Sequence, residues 1–150
     1  MSFDRLNEVY RQFRAAQDKY AYFLLTVAGA CIALTINQTN NARFTLHQIP
    51  LGLAALMWAA SFISGCRHIS YLTASLYNNY DLLKIELGEH PIISDKSHLK
   101  PVALEAIKSA LEKQSSRASR YSKLQFIFLL TGALFYIFWH ILCMWHRTFY

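Results

Sequence analysis

Three stretches of this chain carry no charged side chain: residues 20–36, 49–66 and 124–145. A helix rises about 1.5 Å per residue, so crossing a hydrocarbon core of about 30 Å takes roughly 20 apolar residues, with about 17 as the lower end. The three runs therefore meet the length of spanning helices, the first at the short end. In lipid every backbone N–H and C=O must be paired within the protein, which restricts spanning segments to helices and closed barrels. Long apolar runs without strand alternation select helices. Composition agrees: 54% of the chain is hydrophobic and 16% charged, against about 25% charged in soluble domains. Five glycines and three prolines leave few places for a helix to break. The expected fold is an all-α membrane protein of one unit with three transmembrane helices, TM1 at 20–36, TM2 at 49–66 and TM3 at 124–145.

The flanks add detail. Phe3, Leu6, Tyr10 and Phe13 recur at helical spacing while Arg5, Glu8, Arg11 and Gln12 fall on other faces, so residues 1–19 predict an amphipathic helix. Acidic residues there, and the lack of a small-residue cleavage site, argue against a removed signal peptide. Asn37, Gln38, Thr39, Asn40 and Asn41 predict the end of the first span. Beyond TM2, Ile69, Leu72, Leu76, Tyr80 and Leu83 continue at spacings of three and four, with Gly88 and Pro91 as the expected stop near Leu87. Pro101 suits a new helix start. Leu104, Ile107, Leu111, Ala118 and Tyr121 then follow a heptad stripe with Gln114 at the remaining slot. Residues 67–123 are thus expected to form a helical hairpin that extends spans 2 and 3.

Charge sets the expected orientation. Thirteen of the fifteen Lys and Arg lie before residue 20 or within 67–123; Arg43 and Arg147 are the others. Basic residues concentrate on the cytoplasmic side of short loops. The N-terminus and the hairpin are expected inside and the C-terminus outside, with Trp139, Trp145, Phe149 and Tyr150 as an aromatic belt at the outer boundary.

Small residues give the spans a packing code. Gly29 with Ala33, Ala55 with Ala59, and Ser61 with Gly65 each have the small-xxx-small spacing that lets helix backbones approach closely in lipid. These contacts serve either one protomer or a subunit interface, and homo-oligomerisation would support a cytoplasmic segment too small to be stable alone.

Catalytic patterns are missing. There is no G-x-S-x-G and no P-loop, and no acidic residue lies within an apolar run. Six histidines make no H-E-x-x-H or Cys/His cluster; His140, Cys143 and His146 share a helix spacing without further ligands. Cys31, Cys66 and Cys143 read as small apolar thiols. No enzyme activity, metal or cofactor is expected. The candidate polar positions for a pore or gate are Thr26, Ser61, Ser64, Thr131 and His140, although hydroxyls can also satisfy their own helix carbonyls. Lys108, Lys113, Arg117, Arg120 and Lys123 form a basic row before the third span. It is read as headgroup contact under the positive-inside rule, or as an anion site for a nucleotide or nucleic-acid signal if several copies converge.

The amphipathic N-terminal helix, the tight pair of spans with WAASFISG in the second, and the long helical extension together resemble the SLATT-type bacterial membrane effectors. The likeness covers roughly residues 5–90 and leaves the third span outside it. That resemblance implies an oligomeric, pore-forming effector of the bacterial inner membrane, its opening controlled by a partner or a nucleotide signal in anti-phage defence. The alternative is a membrane interaction protein, such as an immunity protein or an accessory subunit.

Overall fold

The computed structural model describes residues 2–40, 46–90 and 97–149. Three helices account for nearly all of them: α1 (Ser2–Thr39), α2 (Ile49–Leu87) and α3 (Lys100–Phe149), with 3-10 turns at Leu46–Gln48 and Ser97–Leu99. Among the described residues there is no strand. Each helix contains one stretch long and apolar enough to cross a membrane, and together they suggest an integral membrane protein. Arg43 and Pro91, in the expected connecting loops, lie outside the described residues.

The helix ends have local causes. α1 carries on past residue 36 because the Thr39 hydroxyl donates back to the carbonyls of Thr35 and Ile36, holding one more turn. α2 stops at Leu87. Gly88 takes φ 77°, a left-handed conformation open to glycine. Its N–H donates to Ile85 O at 3.2 Å and the Glu89 N–H to Lys84 O at 2.9 Å. This is a Schellman motif that pairs two otherwise orphaned carbonyls. Lys100 Nζ donates to a third, Glu86 O, at 3.1 Å. Pro50 stands at the second position of α2 and Pro101 at the second of α3, where the missing N–H costs no helix bond.

The chain divides into two compact units: residues 1–65 with 123–150, and residues 66–122. In the first, α2 buries Leu51, Ala54, Trp58, Ser61 and Ser64, while α1 buries Ala21, Leu24, Ala28 and Thr35. Steps of three and four residues place each set on one helix face. From α3 come Gln125 and Gly132, also buried. Side-chain hydrogen bonds to backbone tie α2 to α3: Ser61 Oγ donates to Gln125 O at 2.7 Å and Trp58 Nε1 to Leu129 O at 3.3 Å. Gln38 Nε2 of α1 donates to Tyr136 Oη of α3 at 2.9 Å. Towards the N-terminus of α1, Val9 and Phe13 are exposed; the side chains of Phe3, Leu6 and Tyr10 lie outside the described residues.

In the second unit α2 and α3 run antiparallel. His68 donates Nδ1–H to Ala118 O at 2.8 Å, Tyr71 stacks on Tyr121 with ring centroids 5.5 Å apart, and Asn78 Nδ2 donates to Gln114 Oε1 at 3.1 Å. The α3 side uses Gln114, Ala118 and Tyr121 of the heptad stripe read from sequence. The α2 side differs from its expected stripe. It faces inward through His68, Tyr71, Asn78 and the buried Ile85, whereas Leu76, Tyr80, Leu83 and Leu87 are 45%, 54%, 50% and 71% exposed. Aromatic stacking and paired amides hold the inward face; of the expected stripe Ile69 and Leu72 are half-buried, and Leu76, Tyr80 and Leu83 are left outside.

Candidate functional site

Small-residue contacts decide how closely the helices of the first unit meet. A Cβ on Gly65 would stand 2.6 Å from Gln125 Nε2 and 2.8 Å from Leu25 Cδ2, so Gly65 is the point where all three helices converge. Ser61, one turn away, is fully buried, and Ala55 and Ala59 are half-buried. Gly29 and Ala33 lie elsewhere: a Cβ on Gly29 would meet nothing within 4 Å, and Ala33 is exposed. That pair therefore points away from the packing within one chain. Gly132 is a second close approach, absent from the sequence reading. A Cβ there would come within 2.5 Å of Trp58 Nε1. No local pattern marks it, because its partner lies on another helix.

The polar side chains expected at a pore are mostly satisfied by backbone. Thr26 donates to Tyr22 O, Ser64 to Ala60 O and Thr131 to Ile127 O, each one turn back on its own helix. Such bonds let hydroxyls sit in apolar surroundings at little cost. Thr26 faces outward, Thr131 is half-buried, and Ser61 and Ser64 are buried. The structure thus brings Ser61 against Gln125.

Gln125 is the residue that the sequence reading passed over. Its side chain is 1% exposed, and neither amide atom has a hydrogen-bond partner. An unpaired buried polar group costs about 1–3 kcal/mol. The available signal was an amide in the otherwise apolar stretch LQFIFLL.

His140 lies at the opposite end of α3's apolar run. It lines a cavity of about 250 Å³ with Gln38 of α1 and Trp139, Cys143, Met144 and Arg147 of α3. Steps of three and four from 140 through 143 and 144 to 147 put these side chains on one helix face. His47, in the turn before α2, and His146, in the last turn of α3, have ring centroids 4.8 Å apart. Among the described residues, no three His, Cys, Asp or Glu side chains come together in a way that could hold a metal ion. Cys31, Cys66 and Cys143 are free thiols.

Lys108, Lys113, Arg117 and Arg120 are exposed along α3 in the second unit, and Arg117 lies 5.8 Å from the centre of the Tyr71 ring. Lys123, in the first unit, is also exposed. Among the described residues the ion pair formed is Arg11 with Glu8, at 2.7 Å, so none of these five cations is neutralised by a carboxylate there. On the α2 stripe, Lys84 stands over the Tyr80 ring at 4.6 Å. Its hydrogen bond to Tyr80 holds its pKa above the ordinary lysine value. No family model, curated protein or solved structure matches this sequence.

Proposed function

We propose that this chain is the protomer of an oligomeric membrane channel, a pore-forming effector of the SLATT type. The reading places the N-terminus and the 67–123 helical hairpin in the bacterial cytoplasm and the C-terminus outside. The observation that carries it is the exposed stripe of Leu76, Tyr80, Leu83 and Leu87 on α2. In this topology the stripe lies beyond the span, in water. A row of large apolar side chains at helical spacing marks an interaction surface. A second copy covers it in a closed ring, the stripe of each subunit packing on a different face of the next.

Assembly gives the remaining features a use. The outward-facing pair Gly29 and Ala33 becomes available for close helix contact between subunits. The exposed cations from Lys108 to Lys123 repeat around the symmetry axis and offer a multiplied site for an anionic ligand, a nucleotide or nucleic acid, that opens the pore. Gln125 supplies the gate. Its unpaired amide makes the close packing against Gly65 costly, and a shift of α3 against α2 that admits water would satisfy it. Covering of the same stripe by a different protein is the second reading, that of a membrane interaction protein.

The mass of the detergent-purified full chain separates the two. A closed ring of several copies is expected for the wild type, and Leu83→Glu, which puts a charge in the stripe, is expected to dissociate it. A wild-type monomer or dimer would overturn the self-assembled channel.

A further inference from the structure

The cavity beside His140 has a chemistry that the channel reading does not use. Arg147 brings a guanidinium that stays charged at all ordinary pH and offers donors only. The indole N–H of Trp139 is likewise a donor only, and it is buried with no partner. Gln38 already spends one amide donor on Tyr136 and keeps another. His140 adds a ring nitrogen. None of the lining residues is a carboxylate, and residues 19–40 and 124–149 contain no Asp or Glu at all. The wall is mainly apolar, and the polar residues along it, Arg147, Trp139, His140 and Gln38, bring N–H donors and a fixed positive charge with no carboxylate in either of these stretches, which favours an oxyanion.

Its place selects which one. The cavity sits where the apolar runs of α1 and α3 end, among Trp139, Trp145 and the last turn of α3, which is the boundary between lipid and water in the three-span reading on which this inference rests. Phosphate esters are the concentrated oxyanions at that depth. Arg pairs with phosphate through two parallel N–H donors. Cys143 and Met144 give an apolar wall against which the glycerol end of a lipid can lie. At about 250 Å³, the space lies just below the usual range of ligand pockets, about 300–1,000 Å³. That suits a phosphate group and its first carbons better than a whole nucleotide.

We propose that Arg147, Trp139, His140 and Gln38 form a phosphate site that seats the headgroup of a phospholipid at the outer end of α1 and α3. The shared chemistry is a phosphate oxyanion on the Arg147 guanidinium, whether it comes from lipid or from solution.

Native mass spectrometry of the full chain in detergent tests this, with phosphatidylglycerol added in one arm and inorganic phosphate alone in the other. The wild type is expected to retain phosphatidylglycerol. Arg147→Gln should weaken retention by about tenfold or more, and Trp139→Phe, which keeps a ring but removes the donor, by a smaller factor. Arg14→Gln, at a half-buried cation on the N-terminal part of α1, should bind as the wild type does. Arg147 is exposed at the end of its helix, so its replacement leaves the packing intact. Phosphate captured in the lipid-free arm by the wild type and lost in Arg147→Gln would uphold the site and assign it to free phosphate. Equal lipid retention by Arg147→Gln and wild type, with no phosphate captured, would overturn it. The same spectra read subunit number separately, so failure of the lipid site and failure of the channel reading give different results.

Discussion

Gly65 and Gly132 are both glycines under a neighbouring helix, yet they differ in what stands over them. At Gly65 the obstructing atoms are the amide end of Gln125 and a methyl of Leu25, both tips of side chains that can swing. At Gly132 the obstruction is the indole of Trp58, a rigid ring pinned by its hydrogen bond to Leu129 O. Gly132→Ala must therefore displace the ring and break that bond, at a cost of about 1–3 kcal/mol. Gly65→Ala should cost less. Thermal melting in detergent is expected to show the larger drop for Gly132→Ala, and the reverse order would refute the packing argument. Gly65 was legible as half of a small-xxx-small pair. Gly132 was not, because what makes it necessary is a tryptophan far away in sequence.

The helices themselves follow from local chemistry. Their apolar runs, the prolines at their starts and Gly88 at the end of α2 are all short-range signals, and α2 ends where the glycine places it. A Gly88→Ala variant tests the motif. An L-residue in the left-handed region costs roughly 1–2 kcal/mol, which should loosen the last turn of α2 and speed amide exchange at residues 88 and 89 by about tenfold. Unchanged exchange would mean that the Schellman bonds contribute little. Which face of α2 turns inward is a different matter. Apolar spacing alone points to Leu72, Leu76 and Leu83, but Tyr71, Asn78 and His68 have partners on α3 for stacking and hydrogen bonds. An apolar stripe in sequence says that a face wants covering without saying whether this chain or another covers it.

For the whole molecule, the asymmetry of Lys and Arg carries the proposed orientation. With Cys31, Cys66 and Cys143 replaced by Ala, Asn40→Cys should react with a membrane-impermeant maleimide in intact cells. Ser116→Cys should react only after permeabilisation. The opposite pattern would invert the proposed orientation, placing the basic row outside and removing the cytoplasmic signal from the channel reading.

The sequence by itself determined the three apolar helices, the end of α2 and the charge bias between their connections, since each depends on neighbours within a few turns or on composition. The tertiary structure alone decided the close approaches at Gly65 and Gly132, the unpaired amide of Gln125, the outward stripe on α2 and the meeting of Gln38 with Arg147 around one cavity. Each of these depends on how separate helices meet. Helical spacing tells which residues share a face but carries no information about which face of which helix will meet it.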